Sequence, residues 1–164
     1  MEPPSPYRVL IANDSGRLVD EAALLQVVRS ALMILTLPPG ELSIRLTTDE
    51  EVRSLNRNFR SIDEATDVLT FPAADFPVNE SELKPLGDIV IACERAMLQA
   101  EARGIAFYQE VAYLAIHGVL HLSGLDDEAE EERARMIAEM DRIGALCGLP
   151  KVADWHTLPT GAAV

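Results

Sequence analysis

Basic residues are scarce in this chain. Lys and Arg number 14 against 27 Asp and Glu, a formal net charge of −13 over 164 residues. A protein that coats nucleic acid at large carries a broad cationic footprint, so that class is excluded. An enzyme that meets RNA through a small local basic patch is not. A long apolar run is also lacking: the most apolar stretch, Ala31 to Leu37, is too short to span a bilayer. Met1 to Pro6 is rich in proline and carries Glu2 where a secretory leader would be basic. A soluble, cytoplasmic protein without membrane contact is the expectation. Cysteine is scarce too. Cys93 and Cys147 lie in apolar, helix-like surroundings and read as free buried thiols of a reducing compartment. Apolar residues, by contrast, make up 48% of the chain, enough for a substantial core in one domain.

The periodicities place the elements. Tyr7 to Ala12 reads as a strand, followed by a turn at Asn13-Asp14-Ser15-Gly16. Asp20 caps a helix running to about Leu35, with Leu25, Val28, Leu32 and Leu35 as its core face. Glu41 to Thr47 alternates as a half-buried strand, and Thr48 or Asp49 starts a short helix to about Arg57. Asp67 to Phe71 and Leu86 to Ala92 are further strands, the latter apolar enough to be buried on both faces. Residues 73–85 between them read as an exposed loop. Helices follow over Glu94 to Arg103, Phe107 to Ser123 and Glu128 to Leu146. The spacing predicts an α+β single domain over 1–150, a mixed sheet of about four strands packed with about five helices. A loosely ordered tail, 151–164, is expected after it.

Chemistry concentrates in His117-Gly118-Val119-Leu120-His121-Leu122-Ser123-Gly124-Leu125-Asp126-Asp127. Two imidazoles at i and i+4 share one helix face and reach one metal ion. Gly124 ends the helix, and the turn carries a third ligand back. Asp127 is the first candidate, with Asp126 and His156 as alternatives. Asp127 has a competing structural role, since Asp127 and Glu130 form a D-x-x-E capping box for the last helix. Position 118 is Gly, where the zinc-peptidase pattern H-E-x-x-H carries its general base. The metal pair is present without that base. Three protein ligands suit Zn2+, one per chain. A carboxylate third ligand also admits a harder divalent ion such as manganese.

The blocks around this stretch resemble a known family. Leu55-Asn56-Arg57-Asn58-Phe59-Arg60 and Ile62-Asp63-Glu64-Ala65-Thr66-Asp67-Val68-Leu69-Thr70-Phe71-Pro72 resemble the pattern LNxxYRxxDxPTDVLSFP. Leu86 to Ala92 resembles LGDIVIS, and Glu110 to His121 resembles the helix leading into HGxLHLxGxDH. Together, from about Leu42 to Leu146, these are similar to the YbeY family of bacterial endoribonucleases. The resemblance implies a metal-dependent endoribonuclease specific for single strands. It further implies a part in maturing the 3′ end of 16S rRNA and in ribosome quality control. The expected partners are single-stranded RNA and the small ribosomal subunit or its assembly factors, not DNA. The family's zinc is usually held by three histidines. His117 and His121 match the first two, and Asp127 stands where the third is found. Arg60 matches the family arginine associated with cleavage, where a guanidinium grips a phosphate; its alternative is an ion pair with Asp63. Catalysis is thereby assigned to Arg60, His117 and His121, and the metal to His117, His121 and Asp127. Ala65 replaces the family proline and Phe59 its tyrosine. Two other readings compete: a non-catalytic ribosome-assembly factor with a structural metal site, and a metallopeptidase-like hydrolase.

Overall fold

A computed structural model describes residues 5–73, 83–152 and 155. Its elements run β1 (Tyr7–Asn13), α1 (Glu21–Ile34), β2 (Gly40–Thr47), α2 (Asp49–Arg60), β3 (Val68–Pro72), β4 (Pro85–Ala92), α3 (Cys93–Arg103), α4 (Phe107–Leu122) and α5 (Glu130–Leu146). The four strands form one sheet in the order β1-β2-β4-β3. β1 pairs parallel with β2 and β2 parallel with β4, while β3 runs antiparallel along β4. The expected α+β domain with a mixed four-stranded sheet and five helices is therefore what forms. Among the described residues, no helix is long and apolar enough to cross a membrane. Most of the loop expected over 73–85 lies outside the described residues. Its C-terminal end differs from expectation, because Pro85 already belongs to β4 and pairs with Glu41.

Side-chain alternation divides the sheet into two unequal faces. Leu42, Ile44 and Leu46 of β2 and Ile89 and Ile91 of β4 point into the main core, with α1, α4 and α5. Val90 and Ala92 of β4 and Leu69 of β3 point the other way, into a small cluster with Val52 of α2. From Ile89 to Ala92 β4 is thus buried on both sides, as its nearly all-apolar sequence predicts. Beyond α2 the second face stays open, leaving a groove of about 660 Å³ lined by Leu10, Leu55, Phe59, Phe71 and Asp88 among others.

The helix ends follow local chemistry. The Asp20 carboxylate accepts from the Ala23 amide at 3.0 Å and starts α1. Its buried stripe is Leu24, Val27, Val28, Ala31 and Leu32; Leu25 and Leu35, expected in the core, are only partly covered. The Thr48 hydroxyl caps α2 by accepting from the Glu51 amide at 3.3 Å. α2 runs one turn beyond the expected end at Arg57. It stops where Ser61 turns left-handed at φ 59° and its amide reaches back to the Arg57 carbonyl at 3.2 Å. That extra turn carries Phe59 and Arg60. α4 is the central helix, with every residue from Gln109 to Leu120 buried. It lies tight against the sheet at Gly118. A Cβ there would lie 2.7 Å from Ile89 Cδ1 and 2.9 Å from both Ile89 Cγ atoms.

Candidate metal centre

α4 ends where chemistry begins. The amide of Gly124 donates to the His121 carbonyl at 3.0 Å, and the Leu125 amide to the Leu120 carbonyl at 3.2 Å. Gly124 sits at φ +106°, a conformation that side-chain-bearing residues rarely adopt. The chain is thereby turned back over the last helical turn. The reversal brings Asp127 against the two histidines. Its Oδ2 lies 3.4 Å from His117 Nε2 and 3.7 Å from His121 Nε2, and the two Nε2 atoms are 2.9 Å apart. One donor atom from each of these three residues falls within 4.8 Å of the others. Two donors of a tetrahedral ion with bonds of roughly 2.0–2.1 Å stand about 3.3 Å apart, so the spacing suits one small divalent cation.

The ring orientations agree with that reading. His121 Nδ1 lies 3.0 Å from the Leu125 carbonyl, which only accepts, so Nδ1 carries the proton. On the neutral ring Nε2 is then a lone pair aimed at His117 and Asp127. A backbone carbonyl in the turn therefore fixes the tautomer that a metal needs. His117 is 4% exposed, so its ring is largely withdrawn from water. Where His117 and His121 carry a proton on Nε2 and donate to it, the Asp127 carboxyl is held well below the usual carboxylate range.

The competing role for Asp127 does not form. α5 begins at Glu130 with Ala129 at its N-cap and no side-chain cap bond. The helix starts two residues later than expected, which frees Asp127 to face the histidines. Asp126 accepts from the Asp127 amide at 2.8 Å and stands outside the cluster. His156 lies outside the described residues. Gly118 faces Ile89 in the core, so a glutamate there would be driven into the sheet. The peptidase base is missing for a steric reason as well as a sequence one.

Arg60 comes from a different element. From the last turn of α2 its Nη2 donates to the Thr70 carbonyl of β3 at 2.7 Å, and its guanidinium carbon lies 5.4 Å from the centre of the Phe71 ring. The alternative partner, Asp63, is occupied by Arg53 at 2.9 Å and by Arg57 at 3.9 Å. Phe59, 70% exposed, meets Phe71 edge-on at 5.6 Å. Asp67 is a buried hub. It accepts from its neighbour's amide, Val68, at 2.8 Å and from Gln99 Nε2 at 3.3 Å, and its carbonyl receives the Ala92 amide. It orients the β3–β4–α3 junction, which suits a structural role rather than that of a base. Cys93 and Cys147 are free thiols, pushed up by burial.

Sequence reasoning missed one contributor. Trp155, inside the stretch expected to be loosely ordered, is only 4% exposed. Its ring centre is 6.0 Å from that of His117. A lone tryptophan after a helix terminator was the available signal.

Comparisons with known proteins place this geometry in context. A family model described as "Endoribonuclease YbeY" matches residues 11–148. An "Endoribonuclease YbeY" of Chloroflexus aurantiacus is 38% identical over 151 residues, 88% of this chain and 98% of the relative. One from Caldanaerobacter subterraneus subsp. tengcongensis is 43% identical over 118 residues, 66% of this chain and 75% of its own length. One from Myxococcus xanthus is 41% identical over 150 residues, 87% of this chain but 50% of the relative. A Thermotoga maritima protein solved in solution shares the fold with a TM-score of 0.55 at 23% identity, covering 85% of this chain and 90% of that one.

Proposed function

The chain belongs to the endoribonuclease YbeY family, and from that membership we propose that it is a metal-dependent endoribonuclease that cuts single-stranded RNA. We place its work in the maturation of the 3′ end of 16S rRNA and in ribosome quality control, in the cytoplasm and beside the small ribosomal subunit. The observation that carries the metal dependence is the gathering of His117, His121 and Asp127 at one helix end. Those three residues would hold the ion, with zinc the first choice and manganese admitted by the carboxylate. A divalent ion there supplies Lewis acidity toward a phosphodiester oxygen.

The remaining roles belong to the chain itself. Leu125 holds the His121 ring through Nδ1, so that this imidazole needs no reorganisation to act. Arg60 is the phosphate-binding residue: one face of its guanidinium is set against Phe71, and Thr70 fixes one nitrogen. The other donors of the guanidinium fork suit two oxygens of one phosphate. Asp127 differs from the family's third histidine by one negative charge, which favours harder cations.

Purified protein incubated with end-labelled single-stranded RNA, duplex RNA and an unfolded protein tests the reading. Cleavage of the single strand alone, lost in His117→Ala, is the expected result. Cleavage of the unfolded protein without RNA cleavage would overturn it in favour of a peptidase. Ribosome binding with no cleavage of any substrate would overturn it in favour of an assembly factor.

A further inference from the structure

We infer that Trp155 is a positioning residue for His117, bringing the chain beyond the last helix into the construction of the metal centre. The inference rests on the metal reading of the His117–His121–Asp127 group.

Each of the two histidines has a neighbour beyond the cluster. His121 is held by a hydrogen bond from the turn that follows it. Against the His117 ring stands the Trp155 indole, with ring centres 6.0 Å apart and planes inclined by 54°. The indole is itself anchored along the same stripe of α4. Glu110, Tyr113 and His117 are spaced so that they fall on one side of the helix. The Trp155 Nε1–H donates to both oxygens of Glu110, at 3.2 and 3.1 Å. Tyr113 packs on the indole with ring centres 5.5 Å apart. The Arg103 guanidinium lies 5.0 Å from the indole centre and pairs with Glu110 as well. Glu110 is 0% exposed, so its carboxylate depends on these donors to be tolerated in the core.

The backbone leading to Trp155 is tied to the same helix. The Pro150 carbonyl accepts from Gln109 Nε2 at 3.0 Å and from the Tyr113 hydroxyl. Leu149, just before Pro150, and Val152, just after it, pack partly buried on the core. Pro150 and Trp155 are thus each fastened to the side of α4 that carries the metal-facing histidines. A ring packed against His117 narrows the rotamers that the imidazole samples. A ligand held in its binding rotamer loses less entropy when an ion arrives. Outer partners that hydrogen-bond a metal ligand typically change metal affinity by about 10–100-fold, and the packed indole is expected to act in the same range.

Cobalt(II) and zinc titrations of the full chain test this. The parent, Trp155→Ala, Trp155→Phe and the buried-core variant Met140→Ala are compared by cobalt absorption and by zinc competition with a chromophoric chelator. Trp155→Ala is expected to weaken zinc about 10–100-fold. Trp155→Phe, which keeps a ring but loses the bond to Glu110, falls between it and the parent. Met140→Ala loses stability but keeps the parent's affinity. The parent supplies a check that needs no variant. Trp155 is the single tryptophan, so its emission should change with the same midpoint as zinc binding. Affinity within twofold of the parent in Trp155→Ala would overturn the inference. So would an equal loss in Met140→Ala, or unchanged emission at saturating zinc. Failure of the parent to bind either ion would instead overturn the metal reading, and this inference with it.

Discussion

At the scale of single residues, Asp127 decides the character of the site. Its sequence context suits a helix cap as well as a ligand, and the choice is made by where α5 begins. Because the helix starts at Glu130 without a side-chain cap, the carboxylate is free for the histidines. Asp127→Ala is expected to weaken zinc by more than the roughly 10–100-fold typical of an outer-shell partner, as read by metal competition. Asp127→His puts a neutral ligand in its place and removes one negative charge. It should shift metal preference from manganese toward zinc. Unchanged metal content together with an unchanged pH–rate midpoint would contradict that. Arg60 answers to a different readout. Arg60→Ala should lower kcat/KM on single-stranded RNA about 100-fold while metal content stays at the parent's level. The histidine pair was legible in the sequence because its spacing is dictated by the helix alone. The Leu125 carbonyl that fixes the His121 tautomer was not, because a backbone acceptor carries no signature in residue type.

At the scale of elements, α4 does two jobs on adjacent faces. One face presents His117 and His121; the neighbouring one lies on β4 at Gly118. That close packing accounts for glycine within an otherwise regular, buried helix. Gly118→Ala adds helix propensity but forces a methyl group onto Ile89. It is expected to cost about 1–3 kcal/mol, lowering Tm by roughly 2–12 °C. The cost should shrink in an Ile89→Ala background, and thermal melts of the four proteins in this cycle measure the coupling. Strand and helix identities were legible from alternation and from Asp20 and Thr48, each of which stands at a helix start in the structure. The ends of α2 and α5 were less so. Ser61 in a left-handed conformation and an uncapped Ala129 are set by packing rather than by local propensity.

At the scale of the whole molecule, charge and topology work together. The order β1-β2-β4-β3 places β4 centrally, so the helix lying on it, α4, becomes the buried spine. That order rests on pairings between residues distant in sequence, such as Ile44 with Ile89, and periodicity does not encode them. The partners of Trp155 were illegible for the same reason, since Glu110 and Tyr113 lie more than a helix away. With a net charge of −13, RNA contact must be local. Arg53 and Arg57 share the single carboxylate of Asp63, which leaves a small positive excess on α2 beside Arg60. The dependence of RNA affinity on salt should therefore be shallow, with a slope equivalent to about one to three phosphate contacts. A steep slope would reveal a cationic surface elsewhere. The central claim is that His117, His121 and Asp127 hold a metal on which RNA cleavage depends. Its most direct test is cleavage of labelled single-stranded RNA by protein stripped with a chelator and then titrated with zinc. The account predicts loss of cleavage on stripping and recovery that saturates at one ion per chain, with His117→Ala inactive throughout. Full cleavage by the stripped, metal-free protein would contradict it.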